Sequence, residues 1–154
     1  MSTFDPDTFL DSAVEGANET TYTPLPEGEY EANISGVSVR QVETKNGVAT
    51  ILNVLWDVEV DKKTRELNNL TQPTQQVRQD IWLDLDKNGN LLFGSNQNVR
   101  LGRLRAATGL NDAKKPFSFR QLEMAPKCFV KVTQRTDKND SSIIYNQIDR
   151  VAAL

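Results

Sequence analysis

"VRQDIWLDLDKNGNLLFGSNQNVRLGRLRAATGL", residues 77–110, changes its periodicity midway, and that change sets the fold. From Val77 to Leu85 the chain alternates, with Val77, Gln79, Ile81, Leu83 and Leu85 on one face and Arg78, Asp80, Trp82 and Asp84 on the other. A period of two predicts a strand with one face buried. From Asn96 to Leu110 the period lengthens, and Leu101, Leu104 and Thr108 fall on one stripe at about 100° per residue, as a helix requires. Asn96 or Asn98 is placed to cap its start and Gly109 to end it.

Between the two lie Asp84, Asp86, Asn88 and Gly89, at the spacing that opens a calcium-binding EF-hand loop. Such a loop needs oxygen ligands through position 12, the last a bidentate Glu, and helices on both sides. Counted from Asp84, position 9 is Leu92 and position 12 is Ser95, and the preceding segment reads as a strand. Asp86-Lys87-Asn88-Gly89 therefore reads as a β-turn, since Asn and Gly tolerate positive φ.

Upstream, Gly28 opens another alternating run. Tyr30, Ala32, Ile34 and Gly36 share a face, and Val37 and Val39 fall out of phase, which predicts a bulge beside Gly36. Lys45-Asn46-Gly47 predicts a tight turn, after which Leu52, Val54, Trp56, Val58 and Val60 alternate with more polar neighbours. This places Trp56 in the core. Asp61 to Gln76 contains Pro73 and has no sustained period, so it reads as a long loop. Downstream, "KCFVKVTQR" (127–135) predicts a fourth strand and "IIYNQIDRV" (143–151) a fifth, with no internal repeat anywhere.

Three strands, one helix and two strands predict an all-β fold with one helix, in the order of a five-stranded OB-fold-like Greek-key barrel. A five-stranded sheet packed on one helix, or a partial β-sandwich, is the competing architecture. Residues 1–24 read as an acidic, flexible N-terminal arm and residues 25–154 as the body. Within the arm, Phe9, Leu10 and Val14 form a short apolar cluster suited to anchoring a partner, with a tail making no specific contact as the alternative reading.

Charge is distributed unevenly along the 154 residues. The net charge is −3, yet residues 1–39 hold eight acids and no Lys or Arg, leaving the remainder at +5. A basic body behind an acidic front fits a nucleic-acid surface, although a solvated face and a solubilising tail give the same count. No run of eighteen apolar residues and no export-type leader is present, so a soluble, unexported protein with no membrane partner is expected. One cysteine, Cys128, and no histidine leave no Cys/His zinc set and no histidine-based catalytic pair. No Gly-Lys-Ser or Gly-Lys-Thr phosphate loop follows any strand. These absences argue against an enzyme, a metal site or a cofactor, a carboxylate–magnesium nuclease being the exception left open.

The informative signal is which large residues point outward. Alternation exposes Arg78 and Trp82 on the third strand and Phe129, Lys131 and Arg135 on the fourth. Aromatic rings stack on bases at about 1–3 kcal/mol each while Arg and Lys follow phosphates, so this interleaving suits single-stranded nucleic acid. Lys45, Lys62, Lys63, Arg65 and Lys138 lie on flanking connections and extend the phosphate-holding set. Trp82 could instead cap a minor apolar cluster, and a one-residue slip would exchange the faces of Phe129. Arg100 and Arg105 border the helical stripe, on a helix expected to plug the barrel end away from the ligand.

"PEGEYEANISGV" (26–37), the Trp82 strand with its turn, "NVRLGRLRAATGLN" (98–111) and "IYNQIDRV" (144–151) together resemble small phage-encoded OB-fold single-stranded DNA-binding proteins. The resemblance spans most of the body. It implies a non-catalytic protein of phage replication or recombination, acting in the host cytoplasm on single-stranded DNA and recruiting replication or recombination proteins, with homo-oligomers possible. Such proteins often end in an acidic tail, whereas this chain ends "DRVAAL"; the N-terminal arm is the acidic segment here. A virion structural or assembly protein using a β-barrel body for protein contacts is the alternative.

Overall fold

A computed structural model describes residues 3–154. Five antiparallel strands, β1 (Gly28–Thr44), β2 (Gly47–Glu59), β3 (Thr74–Leu83), β4 (Cys128–Thr136) and β5 (Ile144–Ala153), form one sheet in the order β3-β2-β1-β4-β5. Three α-helices accompany it: α1 (Pro6–Leu10), α2 (Lys62–Asn68) and α3 (Val99–Ala107). A 3-10 helix, Phe119–Met124, precedes β4.

β1 is long enough to serve two partners. Its first residues pair with β4, Gly28 opposite Val132 through Ala32 opposite Cys128, and the remainder pairs with β2 as far as Thr44 opposite Gly47. The register slips between Ile34 and Gly36, leaving Ser35 unpaired. This is the expected bulge, and it bends the strand between its two neighbours. Lys45 and Asn46 make the two-residue turn into β2, where the Thr44 hydroxyl donates to the Gly47 carbonyl at 2.7 Å and Gly47 adopts φ 112°.

The alternation of β2 and β3 sets the core. Leu52, Val54, Trp56 and Val58 of β2 are fully buried and meet Val77 and Ile81 of β3, Val130 and Val132 of β4, and Leu101 and Leu104 of α3. Burial of each such side chain contributes about 1.5–3 kcal/mol. Trp56 brings a polar atom inside, and its indole N–H donates to Gln79 Oε1 at 2.9 Å, so neither group is left unsatisfied.

α3 ends as its sequence predicts. Gly109 takes φ 76°, the Leu110 amide donates to the Arg105 carbonyl at 2.7 Å, and the Gly109 amide donates to that of Ala106. This is the two-bond closure of a helix by glycine. Its start is pinned by Asn98, whose side chain accepts from the Asp84 amide and donates to the Asp84 carbonyl, while the Asn98 amide donates to Asp84 Oδ2 at 2.7 Å. Asp86 Oδ1 accepts from the Asn88 and Asn90 amides, Gly89 takes φ 82°, and Leu85 bridges to Leu91. The two carboxylates of the calcium-like stretch thus cap backbone, one at a helix start and one in a β-turn.

Two features depart from the sequence reading. The segment expected as a loop over 61–76 contains α2, capped by Asp61 accepting from the Thr64 amide at 2.7 Å and closed by Asn69 in the left-handed region. The sheet is also open. β3 and β5 come within 8 Å Cα–Cα without pairing, and α3 packs against both.

Candidate nucleic-acid interface

The opening between β3 and β5 forms a groove of about 740 Å³. Six of its lining residues have the chemistry expected of a single-strand platform: Arg78, Trp82, Arg100, Arg135, Lys138 and Tyr145. Each arrives by a different local route. Arg78 and Trp82 share the outer face of β3, Arg100 stands in the first turn of α3, and Arg135 and Tyr145 sit directly opposite one another on β4 and β5. Lys138 lies on the loop joining those strands.

Trp82 is 54% exposed and Tyr145 51%, so both aromatics present ring surface to solvent. Their settings differ. Trp82 is opposite Ile51 across the β2–β3 ladder, and Ile51 is itself opposite Arg40 across β1–β2. Tyr145 is fixed by its hydroxyl, which donates to Asp137 Oδ2 at 2.9 Å. That bond and the nearby Asp137 charge raise the phenol pKa.

Asp137 organises the β4–β5 loop. Its carboxylate accepts from the amides of Asn139 and Asp140 as well as from Tyr145, and the Asn139 bond is the main cause of its lowered pKa. Asp80 performs a comparable task on β3, accepting from Arg78 Nε at 3.1 Å, Arg40 at 3.2 Å and Asn53 at 2.9 Å. Arg78 is thereby held against the sheet and partly neutralised. Arg100, Arg135 and Lys138 make no ion pair among the described residues. The groove carries four bases, Arg78, Arg100, Arg135 and Lys138, against two acids, Asp80 and Asp137.

A second cleft continues from Trp82 toward the β1–β2 turn and the Asp86–Gly89 turn, lined by Thr44, Asn46, Leu83 and Lys87 among others. Trp82 stands where the two meet, as a shared wall.

Four of the ten residues expected on the nucleic-acid surface therefore line the groove: Trp82, Arg78, Arg135 and Lys138. The others lie elsewhere. Lys62, Lys63 and Arg65 are on α2, where Lys62 is 4.0 Å from Glu66, and Lys45 occupies the β1–β2 turn. Lys131 is 4.0 Å from Asp149 on β5. Phe129 has the outward phase expected of it and lies outside the groove, between a cleft lined by Glu31, Glu59 and Asp61 and another lined by Lys131 and Arg150.

Sequence reasoning missed Tyr145 and placed Arg100 away from the ligand. For Tyr145 alternation with the buried Ile148 gives only an outward face; that it stands opposite Arg135 follows from the β4–β5 register.

Among the described residues no helix is long and apolar enough to cross a membrane. A scan against known protein families finds no match to this chain, and no curated protein matches it.

Proposed function

We propose that this chain is a non-catalytic single-stranded DNA-binding protein, built on an OB-like Greek-key barrel whose closing strands are left unbonded. The observation that carries this reading is the β3–β5 groove, in which two exposed aromatics accompany three cations that make no ion pair among the described residues. Stacking on Trp82 and Tyr145 is indifferent to base identity, and Arg100, Arg135 and Lys138 follow the phosphates. An OB-fold is itself a partly open five-stranded barrel that binds oligonucleotides on the face of its second and third strands and on the flanking loops. The five-strand order and the helix between β3 and β4 support that assignment. A role in phage replication or recombination, in the host cytoplasm, rests on the resemblance of the body segments, and recruitment of partner proteins rests on the acidic arm.

The test is a titration of intrinsic fluorescence with oligo-dT, duplex DNA and RNA at two salt concentrations. The expected result is quenching by oligo-dT that weakens steeply as salt rises. Absence of quenching and of any mobility shift would overturn the proposal, and metal-dependent degradation of the DNA would reassign the chain to nucleases. The second reading, a virion structural or assembly protein, is favoured by one observation: Phe9, Leu10 and Val14 of the arm are all exposed. Stable homo-oligomers without any DNA shift would select it.

A further inference from the structure

The N-terminal arm presents an apolar surface that nothing in its own chain covers. Every residue from Thr3 to Thr23 is exposed. α1 is capped by Asp5, and the rings of Phe4 and Phe9 lie 5.6 Å apart, beside an exposed Leu10. A five-residue helix is marginal in water by itself, so this cluster gains most of its stability when docked. The charge around it has one sign, from Asp5, Asp7, Asp11 and Glu15, with no Lys or Arg in the arm.

The body carries a surface of opposite character. Beside α3 lies a cleft of about 400 Å³ whose lining includes Leu91, Leu92, Phe93, Val99, Arg103 and Arg105, with no acid. Phe93 is 82% exposed, the most exposed aromatic of the body. Arg103 is exposed and makes no ion pair among the described residues. Arg105 is held in place, its guanidinium 4.2 Å above the Phe117 ring and its Nε donating to the Leu110 carbonyl at 3.0 Å. Apolar floor and cationic rim match the apolar face and acidic flanks of the arm. The β3–β5 groove also offers aromatic rings and cations, but it contains the carboxylates of Asp80 and Asp137, whereas the cleft beside α3 has no acid in its lining.

We propose that this cleft is the docking site for the N-terminal arm of a second copy of the chain. In this structure the arm does not enter its own chain's cleft: every residue from Thr3 to Thr23 is exposed, and none of them lines it. Leu25 is bonded through its amide and carbonyl to Asn146, which lines the groove on the Arg100 side of the helix, whereas Arg103 and Arg105 face the cleft. The cleft is thus open to the arm of a neighbouring copy. Two copies exchanging arms satisfy both clefts and close a symmetric pair. Aromatic side chains bury about 150–250 Å² each, so the exchange falls in the weak-to-standard size range of interfaces.

Sedimentation velocity of the full chain, over about 1 to 100 μM, tests this independently of DNA binding. The wild type is expected to pass from monomer to dimer across that range. An arm variant, Phe9→Ser with Leu10→Ser, and a cleft variant, Arg103→Glu, are each expected to weaken the dimer about tenfold or more. Neither changes a core residue, and an unaltered thermal transition checks that both fold. Mixing the two variants restores one of the two contacts, and association stronger than that of either variant alone, because the cleft variant keeps an intact arm and the arm variant an intact cleft. Combining Arg103→Glu with Asp7→Arg restores the rim attraction with the signs reversed. A monomer at every concentration overturns the proposal, as does a dimer indifferent to both variants. Protection of the arm from proteolysis in a strictly monomeric sample overturns it too, by showing that each arm occupies its own cleft.

Discussion

Trp82 lies directly opposite Ile51 across the β2–β3 ladder, and the Ile51 side chain, only 1% exposed, is buried on the face turned away from the main core. Directly opposed residues on one face of a sheet are in side-chain contact, so the outward indole shields an isoleucine as well as offering a stacking surface. Trp82→Ala is therefore expected to lower stability by about 1–2 kcal/mol in denaturant unfolding and to weaken oligo-dT binding. Trp82→Phe should retain most of the stability. An alanine variant as stable as wild type would show that Ile51 does not depend on the indole.

The two tryptophans are expected to report separately. Trp56 is buried and bonded to Gln79, so Gln79→Leu leaves its indole N–H without a partner and should cost about 1–3 kcal/mol. Pairing that change with Trp56→Phe removes both polar groups, and the double variant should lose less than the two single effects added together. Strict additivity would mean that the bond contributes nothing.

Cationic residues should divide by location. Replacing Arg135 or Lys138 with Ala is expected to reduce the slope of log affinity against log salt by about 0.7 each, the value for one phosphate contact on a single strand. Lys62→Ala and Lys63→Ala, on α2 outside the groove, should leave it unchanged. Equal effects from both pairs would displace the binding surface from the groove.

The β4–β5 loop should loosen in acid. The Asn139 amide, the Tyr145 hydroxyl and the Asp140 amide all bond the Asp137 carboxylate and hold its pKa below the ordinary 3.8. A carboxyl with a lowered folded pKa contributes stability that is present above its unfolded value and is lost as pH falls through the folded one. The amide resonances of Asn139 and Asp140 should accordingly titrate below pH 3.8. A midpoint at or above that value would contradict the hydrogen-bonded loop.

Cys128 should be silent in the native protein. Its side chain is fully buried, and burial raises the thiol pKa above the ordinary 9.0. Reaction with a thiol reagent at neutral pH is expected only at the rate of opening or unfolding, and the full stoichiometric signal only in denaturant. Rapid labelling of the folded chain would place the thiol at the surface.

What could be read from the sequence follows the range of the interactions concerned. The outward phase of Trp82, the core position of Trp56, the bulge beside Gly36 and the turn at Asp86–Gly89 are all set by residues within a few positions of one another. α2 escaped because no apolar stripe marks it: it buries none of its residues fully, and what defines it is a cap from Asp61 and a left-handed Asn69. The separation of β3 from β5, the turning of Arg100 into the groove and the arrival of Tyr145 opposite Arg135 depend on segments far apart in the chain. Periodicity assigns a residue to a face; it does not say which other face it will meet.

The bent strand β1 also governs the order in which the molecule can be assembled. Its second half finds β2 across a two-residue turn, a closure on the microsecond scale. Its first half must wait for β4, since Ala32 pairs with Cys128, about a hundred residues further along. On the ribosome the hairpin of β1 and β2 can therefore close long before the sheet can, and the β4-facing edge of Gly28–Ala32 stays unpaired until the last fifth of the chain emerges.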